Sequence, residues 1–418
     1  MIHPPLIHHI AMRILFLHRN FPGQFLHLVR FFARDPKNKI VFITERQDRA
    51  IPGVLKAIYK PASRDGSKPH PYLRPYEEAI LHGQATARAA LDLKRKGFIP
   101  DIIFGHTWGQ NLFMKDVFPD TPLVGYFEWF YNAHGADVGF DPARPVTIDT
   151  EAGVRIKNSH ILVDLSTCDV GICPTKWQFD QFPEAFRHKI NVIHDGISTD
   201  YFTPNPGARL VLPELGIDLS DAREIVTYVS RGLEPYRGFP QFMEACATIL
   251  EKRPHCHIVV VGEDKVFYGF NLPDGRTYKQ QALEQIKLDM SRVHFTGYIP
   301  FDKYLKVLQA SSVHVYLTYP FVLSWSMLEA LSAGCLVLAS NTPPVREVIE
   351  DGRNGILFDF FSPAELADKV CDALDHRDDM APIRRQARQT ILERYDLKDL
   401  LPRQVKLLTE IAGEKGLS

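Results

Sequence analysis

The chain is poor in cysteine, and the cysteines it has are not spaced as pairs. Its six, Cys168, Cys173, Cys246, Cys256, Cys335 and Cys371, contain no Cys-x-x-Cys and no dense cluster. They read as buried thiols of a reducing compartment rather than as a disulfide framework. Long apolar runs are missing too: none approaches the ~18 residues of a membrane span. A net charge of one sign is also missing, since 49 Lys and Arg stand against 50 Asp and Glu, for a formal charge of -1. No global field therefore recruits nucleic acid or an anionic membrane. There is no internal repeat, no low-complexity tract and no nucleic-acid motif. Residues 1–11 (MIHPPLIHHIA) lack the charge and apolar core of a signal peptide. They are expected to be a disordered or mis-annotated extension, with Met12 the more natural start.

What is present is an ordinary globular composition, 418 residues at 45% apolar and 24% charged. That length implies two or three domains with full cores. Strand and helix signals alternate from Arg13 onward, which points to α/β units. Arg13 to His18 reads as a buried strand. Asn20, Phe21, Pro22, Gly23 and Gln24 then turn into a helix over about 25–33. The loop of such a unit faces a ligand crevice, so Gly23 and Gln24 are candidates for ligand contact. A further strand at 40–44 precedes a polar loop (62–75) and a long helix over about 76–96. The strand at 101–104 ends on Gly105, His106, Thr107 and Trp108, placing His106 where parallel sheets bind ligands. The next strand closes on Glu128, among Tyr126, Trp129 and Tyr131, which suit either a sugar ring or a core. A polar loop (137–152), a helix (153–167) and a strand (169–174) follow, and Thr175 reads as the cap of another helix.

A proline-rich linker is expected over about 203–215, and strand 224–230 opens a second domain. Arg231 and Arg237 lie on the turn after that strand. An insertion over 264–280 precedes a strand that ends near Tyr298. A short amphipathic helix (304–310) and a strand (313–318) lead into 317–351, LTYPFVLSWSMLEALSAGCLVLASNTPPVREVIED. Here Ser324 can cap a helix ending at Gly334. Residues 336–339 read as a doubly buried strand. A Ser-lined helix N-terminus below a strand is a natural anion site. The alternative is that Ser326 and Glu329 form only a capping box. Beyond Phe358, helices are expected at 364–374, 384–394 and 396–408, the last broken at Pro402.

Three stretches resemble the family-4 retaining glycosyltransferases of the GT-B fold. The first is Asn191-Val-Ile-His-Asp-Gly-Ile197 followed by Asp200-x-Phe202-x-Pro204. The second is Arg231 to Gly238, similar to Gly-Arg-Leu-x-x-x-Lys-Gly. The third is Glu329, Ala330, Gly334, Val337, Ala339, Ser340 and Glu347-Val-Ile349. Two departures stand out. Phe321 occupies the place of a Glu that touches the donor sugar in the family, and Glu128 occupies the place of a sugar-facing His.

The resemblance implies an α/β GT-B architecture, two Rossmann-like domains facing across a central cleft. It implies an acceptor domain over 12–205, a nucleotide-sugar domain over 206–385, and helices over 386–418 crossing back to the first domain. It implies hexosyl transfer from a nucleotide-diphosphate sugar to an acceptor hydroxyl, with retention, no cofactor and no metal. Arg231 and Arg237 would hold the diphosphate, Arg being the better bidentate partner. Gly23, Ser324 and Trp325 would contribute at the donor, Glu329 would take the ribose, and Tyr298 would frame the base. Glu128 and His106 would face the reacting sugar. The implied partners are a donor and a small-molecule or lipid-linked acceptor, with no nucleic acid and with room for peripheral membrane contact. The implied setting is cytoplasmic polysaccharide synthesis. A nucleotide-sugar 2-epimerase of the same fold and a non-catalytic nucleotide-sugar-binding protein share these features.

Overall fold

The computed structural model describes residues 11–63 and 68–414. The expected extension at 1–11 therefore falls, but for Ala11, outside the described residues. The chain divides into two compact units. One runs to Asp195 and resumes at Asp399; the other is Gly196–Lys398. Residues 196–205 and 386–398 thus belong to the second unit.

In the first unit seven strands form one sheet: β1 (Arg13–Leu17), β2 (Lys39–Thr44), β3 (Val54–Ile58), β4 (Ile102–His106), β5 (Leu123–Tyr126), β6 (Val170–Cys173) and β7 (Ile190–Val192). Their order is β3-β2-β1-β4-β5-β6-β7, and every pair is parallel. Successive side chains of a strand point to opposite faces, and β1 shows why its sequence is apolar throughout. Leu15 and Leu17 join one core with Val41 and Ile43, while Ile14 and Phe16 join another with Ile40 and Phe42. A parallel sheet covered on both faces needs such unbroken apolar strands. The second core also takes in Leu400, Val405 and Leu408 from the closing helix Leu397–Glu414.

Early in the second unit comes a small antiparallel pair, β8 (Leu210–Leu212) inside what reads in sequence as a linker and β9 (Ile217–Leu219) just beyond it. Its main sheet holds β10 (Glu224–Gly232), β11 (Cys256–Glu263), β12 (Val293–Gly297), β13 (Val313–Tyr316), β14 (Val337–Ser340) and β15 (Ile356–Phe358), in the order β12-β11-β10-β13-β14-β15. Both sheets wind outward from their first strand, then reverse. The reversal lies between β1 and β4 in one unit and between β10 and β13 in the other. Open α/β sheets bind ligands at the C-terminal ends of strands at such a reversal.

One expected break is not observed. Pro402 lies inside a continuous helix; it sits one and a half turns from the start, where its missing N–H costs one bond near the helix end. Pro343 and Pro344 occupy the first turn of the helix Pro343–Arg346, because Pro at those positions lacks only an N–H that has no intrahelical partner. Among the described residues no helix is long and apolar enough to cross a membrane.

Candidate functional site

At the reversal of the first sheet, β1 delivers His18 and β4 delivers His106. Both imidazoles are fully buried, with ring centroids 4.9 Å apart and edge to face. Trp108 lies 3.9 Å from the His106 ring. His18 Nδ1 accepts the Asn20 N–H at 2.8 Å, and its Nε2 meets Gln24 Oε1 at 2.8 Å. Gln24 Nε2 donates to Glu128 Oε1 at 2.8 Å. Glu128 Oε2 lies 3.6 Å from His106 Nε2, beyond a hydrogen bond. Neither His106 nitrogen has a hydrogen-bond partner among the described residues. The main-chain oxygen of Glu128 accepts from Gln178 Nε2 at 2.7 Å. Burial holds the His18 pKa well below the ordinary imidazole value, with His106 as the next cause. His106 is thus enclosed behind Trp108 and His18, and Glu128, with 13% of its side chain exposed, is the outward group. Gly23 is packed against His18: a Cβ there would lie 2.7 Å from Nε2. Tyr126 and Trp129 are buried in the unit rather than presented to a ligand, and Tyr126 donates to Asp195 at 2.9 and 3.0 Å.

At the reversal of the second sheet, β10 carries Arg231 as its next-to-last residue and β13 leads to Thr318. Arg237, only 6% exposed, donates through Nη1 to Thr318 Oγ1 at 2.8 Å, the Val322 main-chain oxygen at 3.0 Å and Tyr316 Oη at 3.3 Å. None of these oxygens carries a full negative charge. The nearest acidic residue in the turn, Glu234, accepts instead from the backbone N–H groups of Phe267 and Tyr268. Those two residues of the insertion cover the cations. Arg231 lies over the Phe267 ring at 4.1 Å and Arg237 over the Tyr268 ring at 5.4 Å. Phe321 packs into the same aromatic cluster, 5.2 Å from Tyr268 and 5.4 Å from Tyr236.

The helix Trp325–Ser332 starts beside Arg237, capped by the Ser324 hydroxyl on the Ser326 N–H. Ser324's own N–H differs from the expectation: it donates to Tyr316 Oη at 3.0 Å, the phenol that also meets Arg237. It is therefore engaged within the loop. One turn into the helix, Glu329 Oε2 accepts from Tyr304 Oη at 2.8 Å. This decides against a capping box, since the carboxylate reaches another helix. Burial pushes the Glu329 pKa up to about 7, the Tyr304 bond opposing. Tyr298 and Trp325 are exposed.

Two family models match the chain. Residues 36–202 fit the glycosyl transferase family 4 group, and residues 217–390 fit the glycosyl transferases group 1. The chain belongs to the family-4, group 1 glycosyltransferases. Among similar glycosyltransferases, the D-inositol 3-phosphate glycosyltransferase of Corynebacterium efficiens is 26% identical over 319 residues, 74% of this chain and 70% of the relative. The alpha-maltose-1-phosphate synthase of Mycolicibacterium smegmatis is 24% identical over 312 residues, 71% of this chain and 73% of the relative. The crystal structure of Anabaena HepE in complex with UDP-glucose superposes with a TM-score of 0.68 at 18% identity, covering 96% of this chain and all of that one. Sucrose-phosphate synthase from Thermosynechococcus elongatus superposes at 0.70 and 15% identity, covering 97% and 100%. The fold of this glycosyltransferase is GT-B.

Four residues of this glycosyltransferase's candidate site carry no sequence signal of their own. Thr318 and His18 are reachable through the strand-reversal rule once strand order is known. Tyr304 and Tyr316 reach the site from a helix face and a strand interior, positions that a linear motif does not mark.

Proposed function

We propose that this glycosyltransferase moves a hexosyl unit from a nucleotide-diphosphate sugar to an acceptor hydroxyl, with retention and without an essential metal. The observation that carries the reading is Arg237: a buried guanidinium bonded only to neutral oxygens, beside the start of the helix Trp325–Ser332. Glu234 meets that charge through space, without a hydrogen bond to the guanidinium, and a diphosphate supplies the bonded counter-charge that a buried cation favours. Arg231, exposed near the end of β10, adds a second cation. Together they stabilise the departing diphosphate, the task a divalent cation performs elsewhere. Glu329 accepts from the ribose, with Tyr304 fixing its direction. Tyr298 and Trp325 line the donor side. Departure of the diphosphate leaves an oxocarbenium-like centre. We assign to Glu128 the role of the catalytic carboxylate, in place of the one lost at Phe321.

The UDP-glucose held by HepE supports a UDP-hexose as the first donor to try. Two relatives are named for a phosphorylated polyol or sugar, which supports a hydroxylated small-molecule acceptor, a lipid-linked one being the other choice. The setting we infer is cytoplasmic glycan or glycoconjugate synthesis. Proton NMR of the product tests the stereochemistry: an α-linked donor is expected to give an α-linked product, and a β-linked product contradicts retention. Glu128→Gln is expected to lower kcat on the order of 100-fold or more, the scale of a lost charged catalytic group. Unchanged turnover removes Glu128 from the mechanism.

A further inference from the structure

Glu128 stands at the end of a one-way chain of hydrogen bonds. His18 Nδ1 accepts from the Asn20 N–H at 2.8 Å, so in the neutral ring the proton is on Nε2. Nε2 donates to Gln24 Oε1 at 2.8 Å, which leaves the Gln24 amide NH2 to donate to Glu128 Oε1, also at 2.8 Å. A carboxylate only accepts. A flipped Gln24 amide would set an oxygen against Glu128 and an N–H against the N–H of His18. The backbone at Asn20 therefore fixes the His18 tautomer, the tautomer fixes the amide, and the amide fixes the carboxylate. The first link is enclosed: His18 is fully buried, packed edge to face on Phe25 at 5.6 Å. Gly23 holds a left-handed conformation (φ 55°) with no room for a Cβ beside His18, so the loop keeps Gln24 in register with the ring.

We propose that Gln24 is a positioning residue for Glu128, with His18 as its anchor and Gly23 as the residue that lets the loop close on that anchor. The proposal rests on the reading of Glu128 as the catalytic carboxylate. Without the bridge, Glu128 keeps its charge and its backbone hydrogen bond to Gln178 but gains rotamers, and points correctly only part of the time. Turnover falls, while donor affinity, set by the second unit, does not.

The test is a double-mutant cycle on nucleotide release, using whichever of UDP-, GDP- and ADP-glucose is turned over fastest. Gln24→Met has nearly the same shape and no amide. It is expected to lower kcat roughly 10- to 100-fold, the scale of a misplaced reacting group, with the donor KM unchanged. In the Glu128→Gln background the same substitution is expected to cost nothing further, because the group it positions is already gone. A merely structural loss would carry through both backgrounds. Full kcat in Gln24→Met, or losses that multiply in the double variant, overturns the proposal while leaving Glu128 in place. Full turnover in Glu128→Gln overturns the underlying reading, and the proposal with it. If Gln24→Met melts below the assay temperature, His18→Phe, which keeps the ring against Phe25, tests the same link with the same expected and contrary results.

Discussion

Glu329 is a carboxyl that the second unit keeps out of water. Its pKa in the fold, about 7, lies above the ordinary 4.5 because burial disfavours the charged form. The sign follows from linkage: the folded state binds the proton more tightly. The associated stability is complete below pH 4.5 and is lost as pH rises through about 7. The loss is on the order of 3 kcal/mol at its limit. Glu329→Gln removes the titration. Urea unfolding of the ligand-free protein at pH 5 and pH 8 is expected to show a smaller drop in the variant than in the wild type, and equal drops refute the assignment. If ribose hydroxyls donate to this carboxylate, they favour its ionised form. Nucleotide binding between pH 6 and 7 should then release protons, seen by calorimetry as a heat that changes with the buffer. Sequence motifs singled out Glu329 but left its environment open. Its partner Tyr304 lies 25 residues earlier, on a helix whose amphipathic pattern was legible but whose docking against Glu329 was not.

The eight-residue helix Trp325–Ser332 shows what was readable at the scale of elements and what was not. Its start at a Ser cap and its stop before Gly334 follow from local chemistry, and both stand as read. Ser324→Ala is expected to cost about 1 kcal/mol, the usual price of losing a cap, measured by urea unfolding. The same variant should keep the Ser324 backbone bond to Tyr316, so any loss of nucleotide affinity should be small. Elements set by distant packing were harder to read. β8 and β9 are three residues each, too short to show alternation at the end of what looks like a Pro-rich linker and just beyond it. β3 sits at the sheet edge with no buried residue, Leu55 and Ile58 being exposed, so it lacks the buried apolar run that marks β1 and β2. His106 was placed correctly at a strand end, yet its burial behind Trp108 depends on tertiary packing that linear order does not carry.

At the scale of the whole molecule, the doubly wound topology was legible because parallel strands must be apolar throughout and must alternate with helices. The ends of the two compact units were not, since they depend on which core the closing residues join. Leu408 is fully buried in the first unit's core although it lies at the far end of the chain. Leu408→Ala is expected to cost 2–5 kcal/mol, a lowered melting temperature being the readout; an unchanged one means the helix is not docked there. The most direct test of the central claim is a thermal-shift titration with UDP, GDP and ADP. At 100 times its Kd, the matching nucleotide should stabilise the wild type by roughly 2.7 kcal/mol. The account expects that shift to vanish in Arg237→Ala and to weaken in Arg231→Ala, where the exposed site leaves folding intact. An undiminished shift in both variants contradicts it.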